Sequence, residues 1–219
     1  ISSSVATSSV DPVPVIRETP RMIPGYSDRI NHAFAFAAKH HDRRVRQGTR
    51  APYLTQPATV AVILTRYDRS EDEVVAGILH DVVQDGRLEA WSADLLDERI
   101  GAKFGAEVLA LALEVTQRRF DADVGELTRD EIRADQLARI RTASASAKWV
   151  AAAAMLHQLG TLHADLTRTI DPGSVWGRVA GGRDATLAWY GDLLTALAAD
   201  YSAPIISELA MLRDEVQAL

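Results

Sequence analysis

An adjacent histidine and aspartate, His80 and Asp81, stand inside the apolar run Leu79-His80-Asp81-Val82-Val83-Gln84-Asp85. Burying an ionisable pair is costly unless something charged or hydrogen-bonding compensates it, so the pair asks for a partner. A divalent metal ion held by imidazole and carboxylate is one answer, and a closed set of hydrogen bonds at a helix end is the other. Two further features could join such a site. A loop carries Arg43, Arg44, Arg46 and Arg50 and ends in Pro52-Tyr53, and a distant Leu156-His157 lies in an alanine-rich stretch. Guanidinium forks suit phosphate and their planes suit base stacking, although the same arginines also describe a solvated surface. His157 could reach a cleft, although a lone histidine on a packed helix is more often a satisfied core group.

The elements that position these residues have helical periodicity. Ile30, Phe34, Ala37, Ala38 and His41 make one stripe of a first helix, and a second follows Pro57 with Val60, Ile63, Leu64 and Tyr67 inward. Ser70 with Glu73 forms a capping box for a third helix, Glu71 to about Val83. Stretches from Ala93 to Ile100 and Ala106 to Val115 are divided by Gly101 and Gly105. Residues Gln117 to Leu127 read as a loop, and Thr128 with Glu131 caps the next helix. Ser146 to Leu166 is a central helix; a turn at Asp171-Pro172-Gly173 precedes two last helices, Asp184 to Ala199 and Pro204 to Ala218. No strand alternation or internal repeat is present, so the class is all-α, about eight to ten helices around a cleft. Residues 1–25, interrupted by four prolines, read as an extended arm, and 26–219 as one domain.

Composition narrows the function. With 219 residues, 47% of them hydrophobic, the chain can bury one full core. A formal charge of −6 and a pI near 5.5 disfavour nucleic acid as a partner, which needs a positive field facing the phosphates. Without cysteine there are no disulfides, thiolate zinc sites or cysteine nucleophiles. No apolar run reaches the roughly 20 residues of a membrane span, so the expectation is a soluble, cytoplasmic protein.

The order of these pieces resembles the hydrolase domain of the HD superfamily found in the RelA/SpoT alarmone enzymes and their small relatives. The resemblance runs from Ser27 to Asp200. It is carried by His40-His41, the loop Arg46 to Pro57, the run Gly77-Ile78-Leu79-His80-Asp81-Val82-Val83 with Asp85, Phe104-Gly105 and Glu107-Val108 leading to Val115-Thr116, and Trp176, Arg183 and Trp189-Tyr190. It implies a helical bundle around a cleft and a substrate of the guanosine 3′-diphosphate class. Arg46 matches the family arginine that packs on guanine, and Arg44, Tyr53, His157 and Gln158 complete the candidate ligand-binding set.

The resemblance also implies four metal-ligand positions, usually filled for manganese by two histidines and two aspartates. Here they read Gln56, His80, Asp81 and Ala154. The pair expected to orient the attacking water, glutamate then aspartate, reads Gln84-Asp85, and an amide at 84 removes a proton acceptor. The late motif reads Ala151-Ala152-Ala153-Ala154-Met155-Leu156-His157-Gln158, stripped of charge. The leading expectation is a degenerate HD domain that binds a guanosine nucleotide, another small molecule or a protein partner without a metal cofactor. Two alternatives stay open: a residual hydrolase with manganese or another divalent ion on His80, Asp81 and Asp85, and a metal-independent enzyme using His80 with Asp81 or His157 with Asp85 as acid and base. Self-association is compatible with the last helices.

Overall fold

The computed structural model describes residues 25–46, 49–121 and 125–219. The expected arm lies outside them except for Gly25. Helix α1 (Asp28–His40) begins where Ser27 Oγ accepts the Ile30 amide at 3.1 Å, and it buries Ala33 and Ala37 with His41 closing its end. Helix α2 (Thr55–Arg66) holds Pro57 in its first turn, where the missing N–H has no intrahelical acceptor to lose. The Ser70–Glu73 capping box opens α3 (Glu71–Leu88), in which every residue from Glu73 to Val83 is buried.

Helix α3 runs five residues past its expected end. Its apolar pattern does stop at Val83, but the polar residues beyond are held by tertiary partners, and Trp91 N donates back to Gly86 O at 2.8 Å. The indole lies on Gly86 so closely that a Cβ there would stand 2.5 Å from Trp91 Cε3. Gly86→Ala must displace the ring or the helix, and a loss of about 1–3 kcal/mol is expected in urea unfolding. An unchanged midpoint would show that the indole gives way freely.

Helix α4 (Ala93–Leu96), a π-helical turn (Asp97–Gly101) and α5 (Ala102–Phe104) form one continuous run. The break expected at Gly101 is therefore absent. Gly101 is helical, and the chain turns at Gly105, whose φ of 107° favours glycine. Helices α6 (Ala106–Val115), α7 (Arg129–Thr142), α8 (Ala145–Arg168), α9 (Pro172–Trp176), α10 (Gly182–Ala198) and α11 (Pro204–Ala218) follow. Pro172 starts α9 where a turn was expected, because Val175 and Trp176 gain burial by continuing helically. Counting 93–104 as one run gives ten helical runs among the described residues, and the only strand-like pairings there are the bridges Val45–Pro52 and Phe120–Glu126.

Helix α3 packs on α1, α2, α6 and α8, while α8 also meets α2, α6 and α11, so the two share the centre of the bundle. The end of α6 is clamped by two arginines. Arg87 Nη1 donates to Leu113 O at 3.1 Å and to the Thr116 hydroxyl at 3.2 Å; Arg139 Nη1 donates to Leu113 O and Glu114 O, each at 3.0 Å. These carbonyls have no intrahelical partner, and cations suit a helix C-terminus. The clamp fixes the corner Thr116-Gln117 against α3.

Candidate functional site

His80 Nδ1 donates to Gly77 O at 2.7 Å, within the helix, which leaves Nε2 as the nitrogen available to the cleft. Asp81 Oδ1 lies 3.4 Å from that Nε2, and Asp81 Oδ2 accepts a hydrogen bond from Gln56 Nε2 at 2.8 Å. Gln56 reaches it from the first turn of α2, which packs against α3. Both residues of the His-Asp pair are 8% exposed. Burial, and after it the Asp81 carboxylate, push the Tyr53 phenol upward, so Tyr53 stays a neutral neighbour of Asp81.

His80, Asp81 and Gln84 line a cavity of about 210 Å³ together with Thr116, Gln117, Gln136, Ala151, Ala154, Met155, Gln158 and Trp189. No lysine or arginine is among its lining residues. Amides dominate instead. Gln84 Oε1 accepts from Gln117 N at 2.5 Å, Gln117 Nε2 donates to Gln136 Oε1 at 2.9 Å, and Gln136 Nε2 donates to Val115 O at 3.3 Å. Gln84 Nε2 is buried without a partner. A carboxylate at 84 could accept the same Gln117 amide, but it would place a second charge beside Asp81 in a lining without a cation. Gln117, Gln136 and Trp189 were not among the residues expected in the site, since nothing but the fold brings the 117 corner and α10 to α3.

A second cavity, of about 170 Å³, adjoins on the other side of Gln158 and is lined by Arg46, Gln56, His157, Thr186 and Tyr190. Arg46 Nη2 is ion-paired with Asp165 Oδ2 at 2.6 Å. Burial first, then the Arg46 cation, hold His157 below the ordinary imidazole range, and burial pushes Tyr190 up to about 12. The Tyr190 hydroxyl donates to Gln158 Oε1 at 3.4 Å. Arg46, Tyr190 and His157 thus offer a cation, an aromatic face and a neutral imidazole to one ligand.

Asp85 does not line the His80 cavity. It receives His40 Nε2 at 3.0 Å and the Arg44 guanidinium, with His41 Nδ1 3.8 Å away. Burial alone would raise its carboxyl, but the hydrogen bonds from His40 and Arg44 outweigh it and hold Asp85 below the usual range. His41 is pushed down to about 4, by burial first and His40 second, so it is neutral at pH 7. Arg44 also lies over the Tyr53 ring, 4.4 Å from its centre. The grouping of His157 with Asp85 as acid and base is not formed, because the two belong to different clusters. Arg44 turns inward to Asp85 where it was expected to face a ligand. The two adjacent histidines closing α1 were read only as part of a motif; their partner is 45 residues away and met only on folding.

A dication at the family position finds few donors. His80 Nε2 and Asp81 are present, but Gln56 directs an N–H at Asp81, since a carboxylate only accepts, and Ala154 has no donor atom. Such a set fits a firmly held ion poorly.

Comparison with known proteins agrees with this architecture. The family model described as the HD domain matches residues 33–171. The guanosine-3′,5′-bis(diphosphate) 3′-pyrophosphohydrolase of Aquifex aeolicus is 30% identical over 94 residues, 43% of this chain and 12% of that protein. The human enzyme of that name, MESH1, is 33% identical over 129 residues, covering 58% of this chain and 65% of the relative. The matched segment is thus a small part of the Aquifex protein and just under two thirds of the human one. Among solved structures, a metazoan orthologue of SpoT, described as hydrolysing ppGpp, superimposes with a TM-score of 0.67 at 23% identity over 89% of this chain and 98% of the other. The Listeria monocytogenes protein lmo0812 gives 0.62 at 26% identity over 75% and 99%. No described helix is long and apolar enough to cross a membrane.

Proposed function

The chain belongs to the HD domain family, and on that premise we propose that it is a nucleotide-binding member without metal-dependent hydrolysis. The observation that carries this reading is the bond from Gln56 Nε2 to Asp81 Oδ2. It satisfies, with a neutral donor, the carboxylate at the position where the resemblance implies an ion ligand. Gln84 removes the proton acceptor beside it, and Ala151 and Ala154 leave the facing turn of α8 uncharged. The ligand class follows from the adjoining cavity. Arg46 can pair with a phosphate, Tyr190 and the Arg46 plane can stack on a base, and His157 can hydrogen-bond without adding charge. A guanosine nucleotide bearing phosphate, the class acted on by the relatives, meets these groups.

The test is calorimetric titration with guanosine-3′,5′-bis(diphosphate), with and without manganese, alongside an assay for released pyrophosphate. Binding unchanged by manganese and without turnover is the expected result, weakened roughly tenfold in Arg46→Ala, in line with the loss of one charge-assisted contact. Pyrophosphate release that depends on manganese would overturn it. That outcome is the second reading, a residual hydrolase, and the observation favouring it is the free His80 Nε2 turned to the cleft by the Gly77 bond.

A further inference from the structure

Beyond the His80 cleft, the end of α1 and the later part of α3 gather His40, His41 and Asp85, with one ligand atom from each lying within 4.8 Å of the others. His40 Nε2 and His41 Nδ1 stand 3.0 and 3.8 Å from Asp85 Oδ2. Ligands of a tetrahedral ion with bonds of about 2.0–2.1 Å sit roughly 3.3 Å apart, so these two edges are already close to that polyhedron.

Two further observations point to a cation. One is already seated: Arg44 Nη1 donates to Asp85 Oδ2 and, at 3.1 Å, meets His41 Nδ1. A guanidinium only donates, so His41 presents its Nδ1 lone pair inward, the form in which imidazole ligates a metal. The proton then sits on His41 Nε2, which is buried without any partner. The ring is thus held for its inward nitrogen at the expense of its outer one.

We propose that His40, His41 and Asp85 form a binding site for a borderline transition dication, zinc being the best match, with Arg44 occupying the ion's place and leaving when it binds. Two imidazoles and one carboxylate suit zinc, cobalt or nickel better than magnesium or manganese, and three protein ligands leave a position for water. His40 ligates through Nε2 with its proton moved to Nδ1, and since a metal takes only neutral imidazoles, binding weakens in acid. The Arg44 side chain is 43% exposed and has solvent to move into. This site goes beyond the nucleotide reading and uses a carboxylate outside the His80 cavity, so either can fail alone.

The experiment titrates the full chain with zinc against a chromogenic chelator and repeats the titration with cobalt(II), whose visible absorption reports coordination. One equivalent is expected. His40→Ala and Asp85→Asn weaken it at least about tenfold, Arg44→Ala strengthens it about tenfold, and His80→Ala leaves it unchanged. Circular dichroism checks each variant's fold, and the gain in Arg44→Ala cannot arise from misfolding. Zinc lost in His80→Ala but kept in Asp85→Asn would overturn the proposal, as would no zinc bound by either the unaltered chain or Arg44→Ala.

Discussion

Replacing Gln56 with histidine and Ala154 with aspartate is expected to raise manganese affinity by roughly a hundredfold or more, measured by the disappearance of the free-ion magnetic resonance signal on titration. The scale follows from outer ligand partners alone being worth about 10–100-fold, with two direct ligands contributing no less. The reason is local. At 56 an N–H directed at Asp81 becomes an imidazole nitrogen with a lone pair, and at 154 a side chain lining the His80 cavity gains a carboxylate. The same change should be harmful without the ion. A second carboxylate then faces Asp81 across a cavity whose lining has no lysine or arginine, and the neutral bond that satisfied Asp81 is gone. The metal-free double variant should therefore melt below the unaltered chain, and manganese should restore it by linkage. Equal manganese affinity in the two proteins would mean that the cleft does not bring positions 56, 80, 81 and 154 around one ion.

The second large effect is at Arg139. Its guanidinium donates to the carbonyls of Leu113, Glu114 and Thr116 and to Asp135, side-chain Nε to Oδ2 at 2.9 Å. Arg139→Met keeps the stem and removes every donor. Arg87 still caps Leu113 and Thr116, and Arg118 still holds Asp135, so the loss is partial: about 3 kcal/mol, or a melting point lower by roughly 6–12 °C. Lysine there should recover only a minority of this, because a point-like ammonium cannot span carbonyls on both sides of the helix end. The displaced corner is the one that carries Gln117, whose backbone N–H meets Gln84. A loss under about 1 kcal/mol would show that Arg87 alone suffices for the corner.

How much of this was legible beforehand varies with the physics involved. Both capping boxes, Ser70–Glu73 and Thr128–Glu131, are local hydrogen-bond devices written in consecutive residues, and both form as read. The helices α1, α2, α6, α8 and α11 follow from apolar period. The end of α3 did not, because Gln84, Asp85 and Arg87 remain helical through partners on α1 and around the α6 corner that no local pattern announces. Gly101 misled for a related reason: buried within a π-helical turn, it has the backbone of an ordinary helical residue, and only Gly105 adopts the positive φ that ends a helix. At the site, His80, Asp81, Gln84, Ala154 and Gln158 line one cavity. Arg44 and Asp85 went elsewhere. A charged residue settles against the nearest opposite charge the fold supplies, and here each supplied the other.

The ion pair between Arg46 and Asp165 joins a loop to a helix across 119 residues, with both side chains about one-third exposed. An anion that enters beside Arg46 therefore meets a guanidinium already engaged, and must exchange with a carboxylate to be gripped. A ligand carboxylate would trade like for like and gain little. A phosphate dianion, with more charge and more acceptor oxygens, would shift the exchange in its favour. On the nucleotide reading proposed above, the latch would act as a charge-density filter, favouring phosphorylated molecules over simple organic acids.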